Sequence, residues 1–99
     1  MIKKIVLCFL MALHLPVVAQ KVYKDIDSMQ GVISKLPANQ LKEKASLLEK
    51  TGLLYLNTND YTNATSCFTQ SLTLADQLSD SVLMANCYRN MGVVNFYQQ

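Results

Sequence analysis

The sequence predicts an all-α protein, a solenoid fragment built from antiparallel helix hairpins, with about four helices after a short N-terminal leader. Three observations lead to this prediction. Apolar residues recur at spacings of three and four along most of the chain, which is the period of an amphipathic helix. No run shows the strict alternation and turn chemistry of a hairpin sheet. A pattern of small and large residues also begins again after 40 residues, which is typical of repeated helical units.

Residues 1–19 form a predicted secretory signal peptide. Two lysines give a basic start, residues 5–13 are almost entirely apolar, and Pro16 is followed by short side chains up to Ala19. We expect cleavage after Ala19. An uncleaved anchor is the alternative, but a membrane span needs about 20 apolar residues, and His14 and Pro16 interrupt this stretch too early. The prediction is therefore a secreted or periplasmic protein with no direct membrane span once the signal is removed.

Residues 20–37 are predicted to form a leading helix that has no partner in the repeat pattern. Its apolar stripe comprises Val22, Ile26, Met29, Ile33 and Leu36. Pro37 must end this helix, because proline has no N–H to donate and its ring clashes with the preceding turn. We expect the leading helix to cover the open edge of the first repeat.

Two further helices are predicted within residues 38–80. The first carries an apolar stripe of Leu41, Ala45, Leu48, Gly52 and Tyr55. Asn39 is its predicted N-cap, residues 57–60 are the predicted turn, and Asp60 is the predicted cap of the next helix. The inner face of that next helix is predicted to comprise Ala64, Cys67, Phe68, Ser71, Leu72, Ala75 and Leu78.

A fourth helix, capped by Ser79 or Asp80, is predicted because the pattern recurs 40 residues later. Ala45 then corresponds to Ala85, and the glycine of the pattern recurs in the new helix. The predicted inner stripe of this helix is Val82, Ala85, Tyr88, Met91, Gly92 and Phe96. We expect residues 81–99 to be the first helix of a second, truncated repeat, and the chain to be the N-terminal piece of a longer array.

The residues that define the repeat alternate between small and large in a set order. They are Leu48, Gly52, Tyr55, Tyr61, Ala64 and Phe68 in residues 45–80, with Gly92 opening the second copy. This arrangement resembles the tetratricopeptide repeat (TPR), a helix-turn-helix unit in which small residues lie where two antiparallel helices cross and rings fill the space between them. The usual period is about 34 residues, so the resemblance is to an extended variety. Thr51, Ser71 and Asp76 depart from the family pattern.

Removal of the signal changes the charge balance. The chain has nine Lys and Arg against seven Asp and Glu; losing Lys3 and Lys4 leaves seven against seven, a net charge of zero. No nucleic-acid footprint is therefore expected. The only histidine, His14, is lost as well, so the processed chain has no imidazole base or ligand. We expect no cofactor, no metal and no enzyme activity, and any kinase activity would lie downstream of Gln99.

Two cysteines, Cys67 and Cys87, remain after export. They fall on helices that are expected to be neighbours, and an oxidising compartment would permit a disulfide between them. The favoured interpretation is that both are small packing residues, as buried cysteines often are.

The resemblance implies a binding groove lined by the first helix of each hairpin. The candidate residues in this groove are Glu49, Leu53, Asn86, Arg89 and Asn90. Arg89 and the two asparagines could hold a peptide backbone or a carboxylate. The alternative is that these polar residues only form a solvated surface.

The sequence and the resemblance together favour an exported, non-catalytic TPR scaffold. It would bind a protein or peptide ligand and stack on further TPR repeats in the same chain or another. The alternative is an extracytoplasmic sensory module of a two-component sensor histidine kinase or signalling regulator. A small secreted enzyme is disfavoured, because the carboxylates are scattered and the processed chain has no glycine-rich phosphate loop.

Overall fold

The computed structural model describes residues 17–99, and this part of the chain is helical except for short connections and the last residue. Its helices are α1 (Val17–Lys35), α2 (Leu41–Asn57), α3 (Tyr61–Gln77) and α4 (Ser81–Gln98). The predicted all-α fold with four helices is thereby confirmed. Within residues 17–99, no helix is both long and apolar enough to cross a membrane.

The start of α1 overlaps the predicted signal peptide. Residues 1–16 of that segment lie outside the described residues. The helix begins at Val17, so the predicted cleavage point after Ala19 falls in its first turn. It ends at Lys35, two residues before Pro37, because a proline in the following turn could not continue the helical hydrogen bonds.

The helices stack in chain order. α2 and α3 form the most extensive pair, α4 packs on α3, and α1 packs on α2, while α2 also touches α4 more lightly. The leading helix therefore lies against α2, the position that the sequence predicts. Because α3 returns the chain, α2 and α4 run side by side in the same direction.

The turns after α2 and α3 are built alike. Asn59 and Ser79 both have the left-handed backbone conformation, with φ of 60° and 53°. The next residue closes the helix by donating its N–H five residues back, from Asp60 to Tyr55 at 3.0 Å and from Asp80 to Ala75 at 2.9 Å. This is a common way of satisfying the last carbonyls of a helix.

The same two aspartates also begin the following helices. The Asp60 carboxylate accepts a hydrogen bond from the Asn63 N–H at 3.2 Å. The Asp80 carboxylate accepts one from the Leu83 N–H at 3.1 Å. Such side-chain acceptors stabilise helix N-termini by about 1 kcal/mol. The predicted cap Asp60 is confirmed, and of the two candidates before α4 the cap is Asp80.

The predicted cap Asn39 is wrong. Since α2 begins at Leu41, the capping position is Gln40, and its side chain makes no capping hydrogen bond. The Gln40 N–H instead donates to the Pro37 carbonyl at 3.0 Å, so a tight turn precedes α2 directly. Asn39 lies inside that turn and is exposed.

The α2–α3 contact is centred on Gly52 and Phe68. Phe68 has no exposed surface. A Cβ added to Gly52 would lie 2.5 Å from Cε1 and 2.7 Å from Cδ1 of the Phe68 ring. The cluster around this contact contains buried Ala64, Phe68 and Val94, with Tyr55, Leu56, Tyr61 and Met91 packed on it. The close fit of Gly52 and Phe68 is the kind of small-large pairing that the sequence predicts.

The residues that depart from the family pattern inside the core are hydrogen-bonded. Ser71 Oγ donates to the Ala45 carbonyl at 2.6 Å and accepts from Cys87 Sγ at 3.4 Å. Thr51 Oγ1 donates to the Leu47 carbonyl at 2.7 Å. Both hydroxyls are buried and have partners, so these positions avoid the cost of an unsatisfied polar group.

The predicted inner stripe of α4 is wrong. The residues that α4 buries are Leu83, Cys87, Asn90 and Val94. The predicted positions Val82, Ala85, Tyr88, Gly92 and Phe96 are exposed, and only Met91 is packed against a cluster. The predicted stripe is obtained by shifting the α2 pattern by 40 residues, so it corresponds to the face of α2 that contacts α3. In the structure α4 contacts α3 with a different face. Leu78 was also expected on the inner face of α3, but it is the capping residue directly after this helix and is 38 % exposed.

Candidate functional site

The candidate site is a groove between two parallel stripes of side chains, which we call the α2–α4 groove. The stripe on α2 comprises Lys42, Ser46, Glu49 and Leu53. The stripe on α4 comprises Val82, Asn86, Arg89, Val93 and Tyr97. Within each stripe the residues are three or four apart, so they share one face of their helix. The two helices lie side by side, which brings the two stripes together.

A cleft occupies the end of the groove that lies near the start of both helices. It has a volume of about 230 Å³ and is lined by Lys42, Ser46, Glu49, Asp80, Val82, Leu83 and Asn86. A second cleft of about 500 Å³ lies between Leu36, the residue after α1, and one side of α2, and is lined by Leu36, Lys42, Glu43, Ser46, Leu47 and Lys50. Lys42 and Ser46 belong to both clefts. These two side chains therefore separate the two clefts and line each of them.

One predicted ligand contact, Asn90, is instead part of the frame of the groove. Its side chain is 5 % exposed, and its Nδ2 donates to Glu49 Oε1 at 3.1 Å. This hydrogen bond joins α2 to α4 across 41 residues of sequence. Asn90 therefore fixes the spacing of the two helices, and its amide N–H group is already committed.

The other predicted groove residues are accessible. Asn86 is half-buried and lines the cleft, and Glu49 lines it beside Asn86. Arg89 is exposed at the edge of the groove. Leu53 is 36 % exposed at the far end. Of the predicted residues, the structure thus brings Glu49 and Asn86 together in one cleft, and helical spacing puts Leu53 and Arg89 on the same faces of α2 and α4 as these two.

The far end of the groove is apolar. Val93 is 36 % exposed and Tyr97 58 % exposed, and by helical spacing both continue the α4 stripe beyond Arg89. The Tyr97 ring stacks on Tyr61 with centroids 6.4 Å apart, and it meets Phe96 edge-on at 5.7 Å. These ring contacts hold Tyr97 in place while leaving much of its surface open. The groove therefore offers polar groups at one end and an apolar platform at the other.

Sequence reasoning missed Lys42 and Ser46, which line both clefts. The signal was present in the spacing, because these two residues precede Glu49 and Leu53 at intervals of four, three and four. They fall outside the repeat-defining positions, and for that reason the resemblance alone does not point to them.

Both cysteines of the described region are free and buried. Burial is the main cause that raises the pKa of the Cys67 thiol, and the nearby Asp60 carboxylate raises it further. Burial also raises the pKa of the Cys87 thiol, against the smaller lowering effect of its hydrogen bond to Ser71. A raised pKa reduces the reactive thiolate form. This geometry favours the packing interpretation over a disulfide.

Within residues 17–99, no group of three His, Cys, Asp or Glu side chains is placed to hold a metal ion. A scan against models of known protein families and searches of curated proteins and of solved structures returned no match.

Proposed function

We propose that this chain is a non-catalytic, TPR-like scaffold that binds a peptide segment of a protein along the α2–α4 groove. The observation that carries the proposal is the groove itself. Two helices that occupy equivalent positions in the 40-residue repeat lie side by side. Their shared surface is recessed, with polar side chains at one end and apolar side chains at the other. A recess with apolar contacts and a few placed polar groups is the usual form of a recognition site.

The division of the groove suggests the chemistry of the ligand. Leu53, Val93 and Tyr97 would contact an apolar side chain of the peptide. At the other end Lys42 lies beside the Glu49 and Asp80 carboxylates, so the cleft carries charges of both signs, and the Asn86 amide can both donate to and accept from a peptide backbone. The distance between the two ends suits an extended segment of several residues. A peptide with an apolar anchor at one end and polar backbone or side-chain contacts at the other is therefore the ligand class we expect.

Selection of binders from a random peptide library, followed by affinity measurement, tests this proposal. The purified chain would be used to select binders from a random peptide library, and the affinity of a selected peptide would be measured by fluorescence anisotropy. We expect Leu53→Lys to weaken binding at least about tenfold, because it places a charge in the apolar end of the groove. Arg89→Ala should weaken binding of peptides whose acidic group lies at the groove edge.

Gln70→Lys is the matched control for this experiment. Gln70 is exposed on α3, away from the α2–α4 groove, and the substitution adds the same charge. Circular dichroism would establish that both variants remain helical. Equal affinities for Leu53→Lys and Gln70→Lys would contradict the groove as the binding site.

The proposal includes export by a cleaved signal and further repeats after residue 99. Mass spectrometry of the protein isolated from its own cells tests the export step. We expect the N-terminus at Gln20, since the short apolar segment and the small residues before Ala19 suit a signal peptidase. An intact Met1 on protein from the cell envelope would contradict cleavage. The binding experiment is independent of this result.

A further inference from the structure

We draw no further inference here: the strongest candidate, the exposed stripe of Tyr88, Gly92 and Phe96 on α4, is the face that the further repeats of the proposed function would cover, and nothing in the structure of residues 17–99 shows what covers it.

Discussion

Replacement of Phe68 by alanine is expected to lower the free energy of unfolding by about 3–5 kcal/mol, the usual cost of removing a buried phenylalanine. The ring is fully buried and lies at the centre of the cluster that joins α2, α3 and α4. Chains of this size are typically stable by only about 4–12 kcal/mol. The variant should therefore lose a large part of its stability, and urea denaturation followed by circular dichroism would measure the loss.

Substitution of Gly52 tests the contact between Gly52 on α2 and Phe68 on α3 from the α2 side. Gly52→Ala introduces a Cβ that the Phe68 ring does not accommodate, and overpacking of this kind costs about 1–3 kcal/mol. Gly31→Ala is the matched control, because its Cβ meets no described atom within 4 Å and alanine stabilises a helix by up to about 1 kcal/mol relative to glycine. The two substitutions should thus change stability in opposite directions. In a Phe68→Leu background, which shortens the opposing side chain, Gly52→Ala should lose much of its cost. Equal effects of the two alanines would contradict the close contact.

Loss of the Glu49 carboxylate is expected to cost about 1–3 kcal/mol, because it leaves the buried Asn90 amide without its partner. Glu49→Leu removes the acceptor, whereas Glu49→Gln keeps an oxygen that can accept the same hydrogen bond. We expect Glu49→Leu to be clearly destabilising in thermal unfolding and Glu49→Gln to have a small effect.

A double-mutant cycle with Asn90→Leu separates this hydrogen bond from general packing. Once Asn90 is apolar, Glu49→Leu should cost little more, since the amide that it would strand is gone. Losses that simply add would contradict the hydrogen bond as the main link between α2 and α4 at this position. The same variants should alter peptide binding, because this bond sets the spacing of the groove.

The helices of the first repeat could be predicted because their signals are local. Asp60 and Asp80 precede helices that they cap, and Gly52 and Phe68 occupy positions whose sizes complement each other. The face of α4 could not be chosen in the same way. Apolar residues occur on several faces of α4, so more than one set of them has helical spacing. Only the position of α3 decides that Val94 is buried and Phe96 is exposed.

Sequence spacing grouped Glu49 and Asn86 in advance, because the 40-residue pattern aligns α2 with α4, and both residues line the same cleft. The role of Asn90 could not be derived from the sequence. An asparagine on a helix is usually solvent-exposed, and its burial here depends on a carboxylate 41 residues earlier that reaches across the groove. Lys42 and Ser46 share the helical spacing of Glu49 and Leu53 but lie outside the repeat-defining positions, so they are assigned to the site by the cleft that they line.

The shared aspartates of the two turns also determine how the molecule can deform. Asp60 and Asp80 each donate a backbone hydrogen bond to the end of one helix and cap the start of the next with their side chain. No flexible linker therefore separates α2, α3 and α4. We therefore expect these three helices to move as one rigid unit. The width of the groove would change only by small sliding of the packed helices, since no flexible hinge separates them. The connection between α1 and α2 lacks such a fused cap, and its N-cap side chain makes no hydrogen bond. We therefore expect relative motion of the helices to be largest at the α1–α2 connection, next to the cleft that Leu36 lines, while the α2–α4 groove keeps its shape.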